Sequence, residues 1–123
     1  MSAPTKVPLK IYQGATFFES WAWSTAPDES SAYTPVDLTG CTARMQIRAK
    51  IEATTPLLTL TTENGGISLG GTAGTIELLI DADDTAALTW TSGVYDLEIV
   101  FPGGQVTRLT YGSVTVSPEV TRA

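Results

Sequence analysis

The sequence predicts an all-β fold, an antiparallel immunoglobulin-like β-sandwich of about eight strands with one short helix. Three observations carry that expectation. Residues 42–48 alternate strictly, with Ala43, Met45 and Ile47 on one side and Thr42, Arg44, Gln46 and Arg48 on the other, the period of two that marks a half-buried strand. Residues 93–101 repeat the pattern with Tyr95, Leu97, Ile99 and Phe101 opposed to Asp96 and Glu98. Turn residues punctuate the chain at the spacing of a sandwich, and threonine occurs 20 times. Its branched β-carbon suits a pleated surface that has one wet face.

Taken in order, Pro4 and Pro8 make residues 1–8 an extended arm or edge strand, because proline cannot donate to a ladder. Residues 9–12 pair, Gly14 turns the chain, and the aromatic run 16–23 (TFFESWAW) is a strand. A polar loop with Pro27 and Pro35 spans 24–35, and Asp37-Leu38-Thr39-Gly40 turns into strand 42–48. Residues 57–61 form a short strand ended by Glu63-Asn64-Gly65-Gly66, a tight hairpin or loop turn. Residues 67–69 follow, Gly70, Gly71 and Gly74 mark another turn, and 75–80 places Ile76, Leu78 and Ile80 inward. The segment 81–88 is helix-like for one or two turns, with Asp81 as N-cap and acids in its first turn. Pro102-Gly103-Gly104 closes a hairpin onto 105–111. Leu109 and Tyr111 share a parity that Val114 and Val116 do not, which predicts a β-bulge near Gly112. The whole reads as one domain over 1–123 with a short tail from about 117.

Composition narrows the function classes. At 123 residues, 42% hydrophobic and 16% charged, the chain is globular and charge-poor. With net charge −6 and seven scattered basic residues, it predicts neither nucleic-acid binding, which needs a basic stripe, nor attraction to an anionic membrane. Its apolar runs fall short of the roughly 20 residues of a membrane span. The N-terminal MSAPTKVPLK lacks a secretory apolar core, and lone Cys41 makes no internal disulfide. Both predict synthesis in a cytoplasm. There is no histidine, which removes the usual base of serine and cysteine hydrolases. The expectation is a protein that is not an enzyme and needs no cofactor or metal. Cys41 reads as a small half-buried residue, and Asp81, Asp83 and Asp84 lack the glycine and distal glutamate of a calcium loop.

Candidate contact residues are Trp21, Trp23, Tyr33, Trp90, Arg44 and Arg48. The aromatics of 17–23 fall on both parities, so one set suits the core and the other a protein interface. Arg44, Arg48 and Arg108 project from strand faces toward cross-strand partners among Glu77, Asp96 and Glu98, or toward an acidic neighbour.

The order of these parts is similar to a known family. A TFF strand, DLTG opening a strand at Asp37, an Asn-Gly turn, a glycine-led strand at Gly74, a DADDTAAL helix, the strand Tyr95-Asp96-Leu97-Glu98 and a closing Val-Thr-Val follow one another. Together they resemble the N-terminal immunoglobulin-like domain of phage baseplate upper proteins and related small tail-associated proteins, over residues 9–116. The resemblance implies a structural component of a tailed-phage virion, made in the host bacterial cytoplasm. It would be a tail or baseplate adaptor for receptor-binding or fibre proteins, in a homo-oligomeric ring or other symmetric assembly. Because the chain stops soon after the likeness, a stand-alone adaptor or a capsid decoration subunit is expected. A carbohydrate-binding module, with the tryptophans as sugar platforms, is the alternative from another class.

Overall fold

The computed structural model describes residues 4–25 and 32–121. The first three residues of the expected arm, residues 26–31 of the loop containing Pro27, and the last two of the tail lie outside the described residues. Among the described residues there are eleven strand segments: β1 (Thr5–Lys6), β2 (Leu9–Tyr12), β3 (Phe17–Ala22), β4 (Ser24–Thr25), β5 (Thr34–Pro35), β6 (Thr42–Arg48), β7 (Leu58–Thr61), β8 (Ile67–Leu69), β9 (Thr75–Ile80), β10 (Ser92–Val100) and β11 (Val106–Ser117). One short helix, α1 (Ala82–Ala86), joins β9 to β10. The expected all-β sandwich is what forms, with more and shorter segments than eight.

The large sheet runs β1-β11-β10-β6-β7, with β2 also on β11. The small sheet runs β3-β9-β8, and β4 pairs with β5. Alternation builds the core between the two main sheets. Ala43, Met45 and Ile47 of β6, Tyr95, Leu97 and Ile99 of β10, and Val114 and Val116 of β11 face Phe17, Ile76, Leu78 and Ile80. Leu97, Ile99, Ile76 and Leu78 have no solvent exposure at all. Each such side chain stabilises the fold by about 1.5–3 kcal/mol relative to exposure.

Several local expectations change in three dimensions. Residues 5–6 take the edge-strand alternative and 9–12 pair as expected, but β1 and β2 both run parallel to β11, so the large sheet is mixed and not wholly antiparallel. The Glu63–Gly66 turn is not a hairpin. β7 pairs with β6 and β8 with β9, so the chain crosses from one sheet to the other. Gly65 turns at φ +83°, and Asn64 Oδ1 accepts from the backbone N–H groups of Thr61 and Gly66 at 2.9 Å each. The loop 24–35 has paired ends, Ser24 opposite Pro35 and Thr25 opposite Thr34.

The bulge lies before Gly112. Leu97 opposes Thr110 and Glu98 opposes Arg108, so Leu109 is the extra residue. The parity change therefore falls at Leu109, and Tyr111 faces outward, not inward with Leu109. Gly112 answers another need: a β-carbon there would sit 2.8 Å from the Val7 carbonyl oxygen. That oxygen also accepts a 2.6 Å hydrogen bond from the Tyr95 hydroxyl, while Val7 N–H donates to Tyr111 O at 2.8 Å. The N-terminal strands are thus clamped at the Val7–Pro8 step that separates β1 from β2.

A second clip joins the turn after β2 to α1. Asp81 occupies the N-cap position but makes no side-chain cap bond. Thr85, fully buried, holds the helix instead. Its hydroxyl accepts from Gly14 N–H at 3.0 Å and donates to Ala15 O at 2.8 Å. Gln13 Nε2 donates to Leu88 O at 3.0 Å, and Gln13 Oε1 accepts from Glu119 N–H at 2.7 Å, tying the C-terminal segment to the same corner.

Two outcomes follow for the Val7 clamp. Tyr95→Phe leaves the Val7 carbonyl short of a partner and lowers the unfolding free energy by about 1–2 kcal/mol in a denaturant titration. Burial raises the Tyr95 phenol above its ordinary value, opposed by the Thr110 hydroxyl and reinforced by the Glu19 carboxylate. The unfolded chain therefore loses the phenolic proton first. Stability is retained below about pH 10 and falls as pH rises through the folded value, by less in Tyr95→Phe. Gly112→Ala, with its β-carbon against Val7, costs about 1–3 kcal/mol. Gly103→Ala, where a β-carbon meets nothing within 4 Å, stays within about 0.5 kcal/mol of the parent.

Candidate docking face

The inward alternation of β6, β10 and β11 dictates what the large sheet shows outside. Arg44, Gln46 and Arg48 emerge from β6, Val94, Asp96 and Glu98 from β10, and Arg108 before the bulge and Tyr111 and Ser113 beyond it from β11. Register sets their pairing, with Glu98 opposite both Arg44 and Arg108 and Asp96 opposite Gln46 and Tyr111. Arg44 Nε bonds Glu98 Oε1 at 2.7 Å, and Arg108 Nε lies 3.5 Å from Asp96 Oδ2. Arg48 makes a different contact from the carboxylate pair expected of it. Its Nη1 donates to Ala53 O at 2.7 Å and its Nη2 to Gln46 Oε1 at 2.5 Å. Arg48 so braces the loop after β6, whose Ile51 is 85% exposed.

The result is a concave surface. Ile51, Val94 and Tyr111 form the apolar lining of a groove of about 520 Å³, with Lys6, Arg48, Asp96 and Arg108 around them. A second depression of about 500 Å³ continues over Arg44, Gln46, Thr59, Thr61 and Glu98. Four of the chain's seven basic residues, Lys6, Arg44, Arg48 and Arg108, lie on this surface. The fold therefore brings these four to one face, although they are scattered along the sequence.

The six residues singled out from sequence do not converge. Arg44 and Arg48 lie on the face just described. Trp21, Trp23 and Trp90 are half-buried and pack against the core, and Trp23 meets Phe101 edge-on with ring centroids 6.1 Å apart. Tyr33, before β5, is 76% exposed. On β3, Phe17 is the buried member and Phe18 the exposed one, at 55%, so the parity with the tryptophans belongs to the core. Sequence reasoning passed over Lys6, Ile51, Val94 and Tyr111. Tyr111 was recoverable only with the bulge in its correct place, whereas nothing in the local sequence brings Ile51 to a sheet surface.

The Cys41 thiol is raised above its ordinary value, first by burial and then by the Asp37 carboxylate, which works against a nucleophilic thiolate. Asp37 accepts from the Thr39 N–H at 3.0 Å, and its hydrogen bonds with Thr39 hold the carboxyl below the usual carboxylate range, so it serves the turn into β6. Among the described residues no three metal-ligating side chains stand together. What the face can do is bury area against a partner, with apolar contact at its centre and charges around it.

The Arg44–Glu98 pair is solvated, so it shapes this surface more than it holds the fold. Arg44→Ala shifts the unfolding free energy by less than about 1 kcal/mol in a denaturant titration.

No protein-family model matches the sequence, and no curated protein matches it either.

Proposed function

We propose that this protein is a structural component of a tailed-phage particle, a tail- or baseplate-associated adaptor that acts by rigid docking and not by catalysis. The observation that carries the reading is the concave outer face of the large sheet, an apolar groove edged by ordered charges on a rigid ladder. Support comes also from the order of sequence elements that resembles baseplate upper proteins. The strand order, β11-β10-β6-β7 facing β3-β9-β8 with the N-terminal strand parallel to β11, supports an immunoglobulin-like reading of the sandwich. In this role the protein works in the virion, presenting a fixed surface to neighbouring tail, baseplate or fibre subunits.

The sugar-binding alternative has less support, because stacking on a pyranose needs an open indole face and Trp21, Trp23 and Trp90 are packed against the core. The capsid decoration alternative differs from the tail reading in stoichiometry. Quantitative mass spectrometry of purified particles separates them. A tail adaptor is present in the copy number of a few rings, and a decoration subunit in numbers tied to the shell. Absence from the particle overturns the structural reading altogether.

A further inference from the structure

The fold divides the charge of this chain unevenly. On the outer face of the large sheet, Lys6, Arg44, Arg48 and Arg108 stand against only Asp96 and Glu98. Four cations and two carboxylates leave this face at net +2. With −6 for the whole chain, the remainder carries −8. Two copies meeting face to face bring like charge together, whereas the face of one copy against another side of a second brings opposite charge together.

A second surface has matching chemistry. On the outer surface of the small sheet, Leu79 is 40% exposed, and its register partner Phe18 is 55% exposed. Leu79 continues into a depression at the edge between the sheets, shared with Leu58 and Thr59 of β7, Asn64, Asp81 and Asp84, and Asp83 is exposed on α1. Among the described residues no ion pair engages Asp81, Asp83 or Asp84. One surface is therefore apolar with a basic margin and the other apolar with an acidic margin, and the two are separate patches that approach one another at β7, whose Thr59 borders both.

We infer that the outer face of the large sheet is the seat for a second copy of this chain, docked head-to-tail through its small-sheet surface around Leu79 and the Asp81–Asp84 corner. A contact of this heterologous kind leaves one unused surface at each end, so it propagates into a ring or a filament and does not stop at a dimer. The inference deepens the docking role proposed above by naming the partner, and it rests on that reading of the face. The carboxylates interleaved among the arginines favour a protein partner over a phosphate backbone, which has no cations to meet them.

Sedimentation of the 123-residue chain up to about 1 mM, in about 50 and 500 mM salt, tests this. The expected result is a mass that rises past the dimer with concentration and falls at the higher salt. Arg108→Glu on the face, or the paired Asp83→Lys and Asp84→Lys at the corner, weakens self-association at least tenfold. Tyr111→Ser, which touches no ion pair, is a second face variant, and circular dichroism confirms that each is folded. Mixing a face variant with the corner variant restores association, but only to a 1:1 dimer, since each partner keeps one working surface. The inference is overturned by a wild-type monomer at every concentration. It also fails if association ignores both sets of changes, or if a dimer is lost in face variants alone, which marks a face-to-face contact. A monomer that instead binds poly-glutamate or duplex DNA assigns the face to another partner. A monomer still found in purified particles defeats only this inference, whereas a self-assembling chain absent from particles defeats only the virion role.

Discussion

β10 is paired along both edges, to β6 and to β11, and must satisfy two ladders with one alternation of side chains. Its odd positions Tyr95, Leu97 and Ile99 are buried, and its even positions Asp96 and Glu98 meet Arg108 and Arg44 outside. A slip of one residue would carry the carboxylates into the core and the apolar residues into water, at several kcal/mol for each buried charge. That penalty makes the register unique. Core and charged face are thus two sides of a single constraint, and neither can be changed independently of the other. The bulge at Leu109 is where β11 adapts: one extra residue lets Thr107 face inward before it and Gly112, Val114 and Val116 after it.

Around this ladder the chain is closed by polar contacts at two points. At one, the Val7 carbonyl takes a hydrogen bond from Tyr95 and approaches the backbone at Gly112 too closely for any side chain. There the edge of the sheet is occupied by the protein's own N-terminal strands, which protects β11 from pairing with another chain. At the other, Gln13 and Thr85 collect the turn after β2, the short helix and the C-terminal segment into one hydrogen-bonded corner. A helix of five residues has little stability of its own, and the buried Thr85 hydroxyl supplies what an Asp81 cap does not.

The same architecture gives the molecule its electrical polarity. Even-numbered positions of β6 and β10 point outward, and their charges become neighbours although they are separated by some fifty residues of sequence, as with Arg44 and Glu98. Side-by-side pairs of this type are individually weak, so their value lies in patterning a surface. A rigid sheet with an apolar groove and fixed charges offers specificity of orientation, whereas area alone sets neither partner nor affinity.

Much of the fold was legible in the sequence, because period-two alternation and turn chemistry are local properties: the inward residues of β6, β9 and β10 follow from the first, and the Asp37–Gly40 turn from the second. The site was legible only in fragments. Arg44 and Arg48 could be placed on an outer face by parity, but the tryptophans read as surface candidates are half-buried against the core. Deciding which sheet a strand joins depends on contacts between distant segments, so the Glu63–Gly66 crossing, the parallel seating of the N-terminal strands and the bulge at Leu109 were settled by tertiary packing. The gathering of Lys6, Arg48, Ile51 and Tyr111 around one groove was settled the same way. Alternation determines which side of a strand is buried; only the pairing of strands decides which exposed side chains become neighbours.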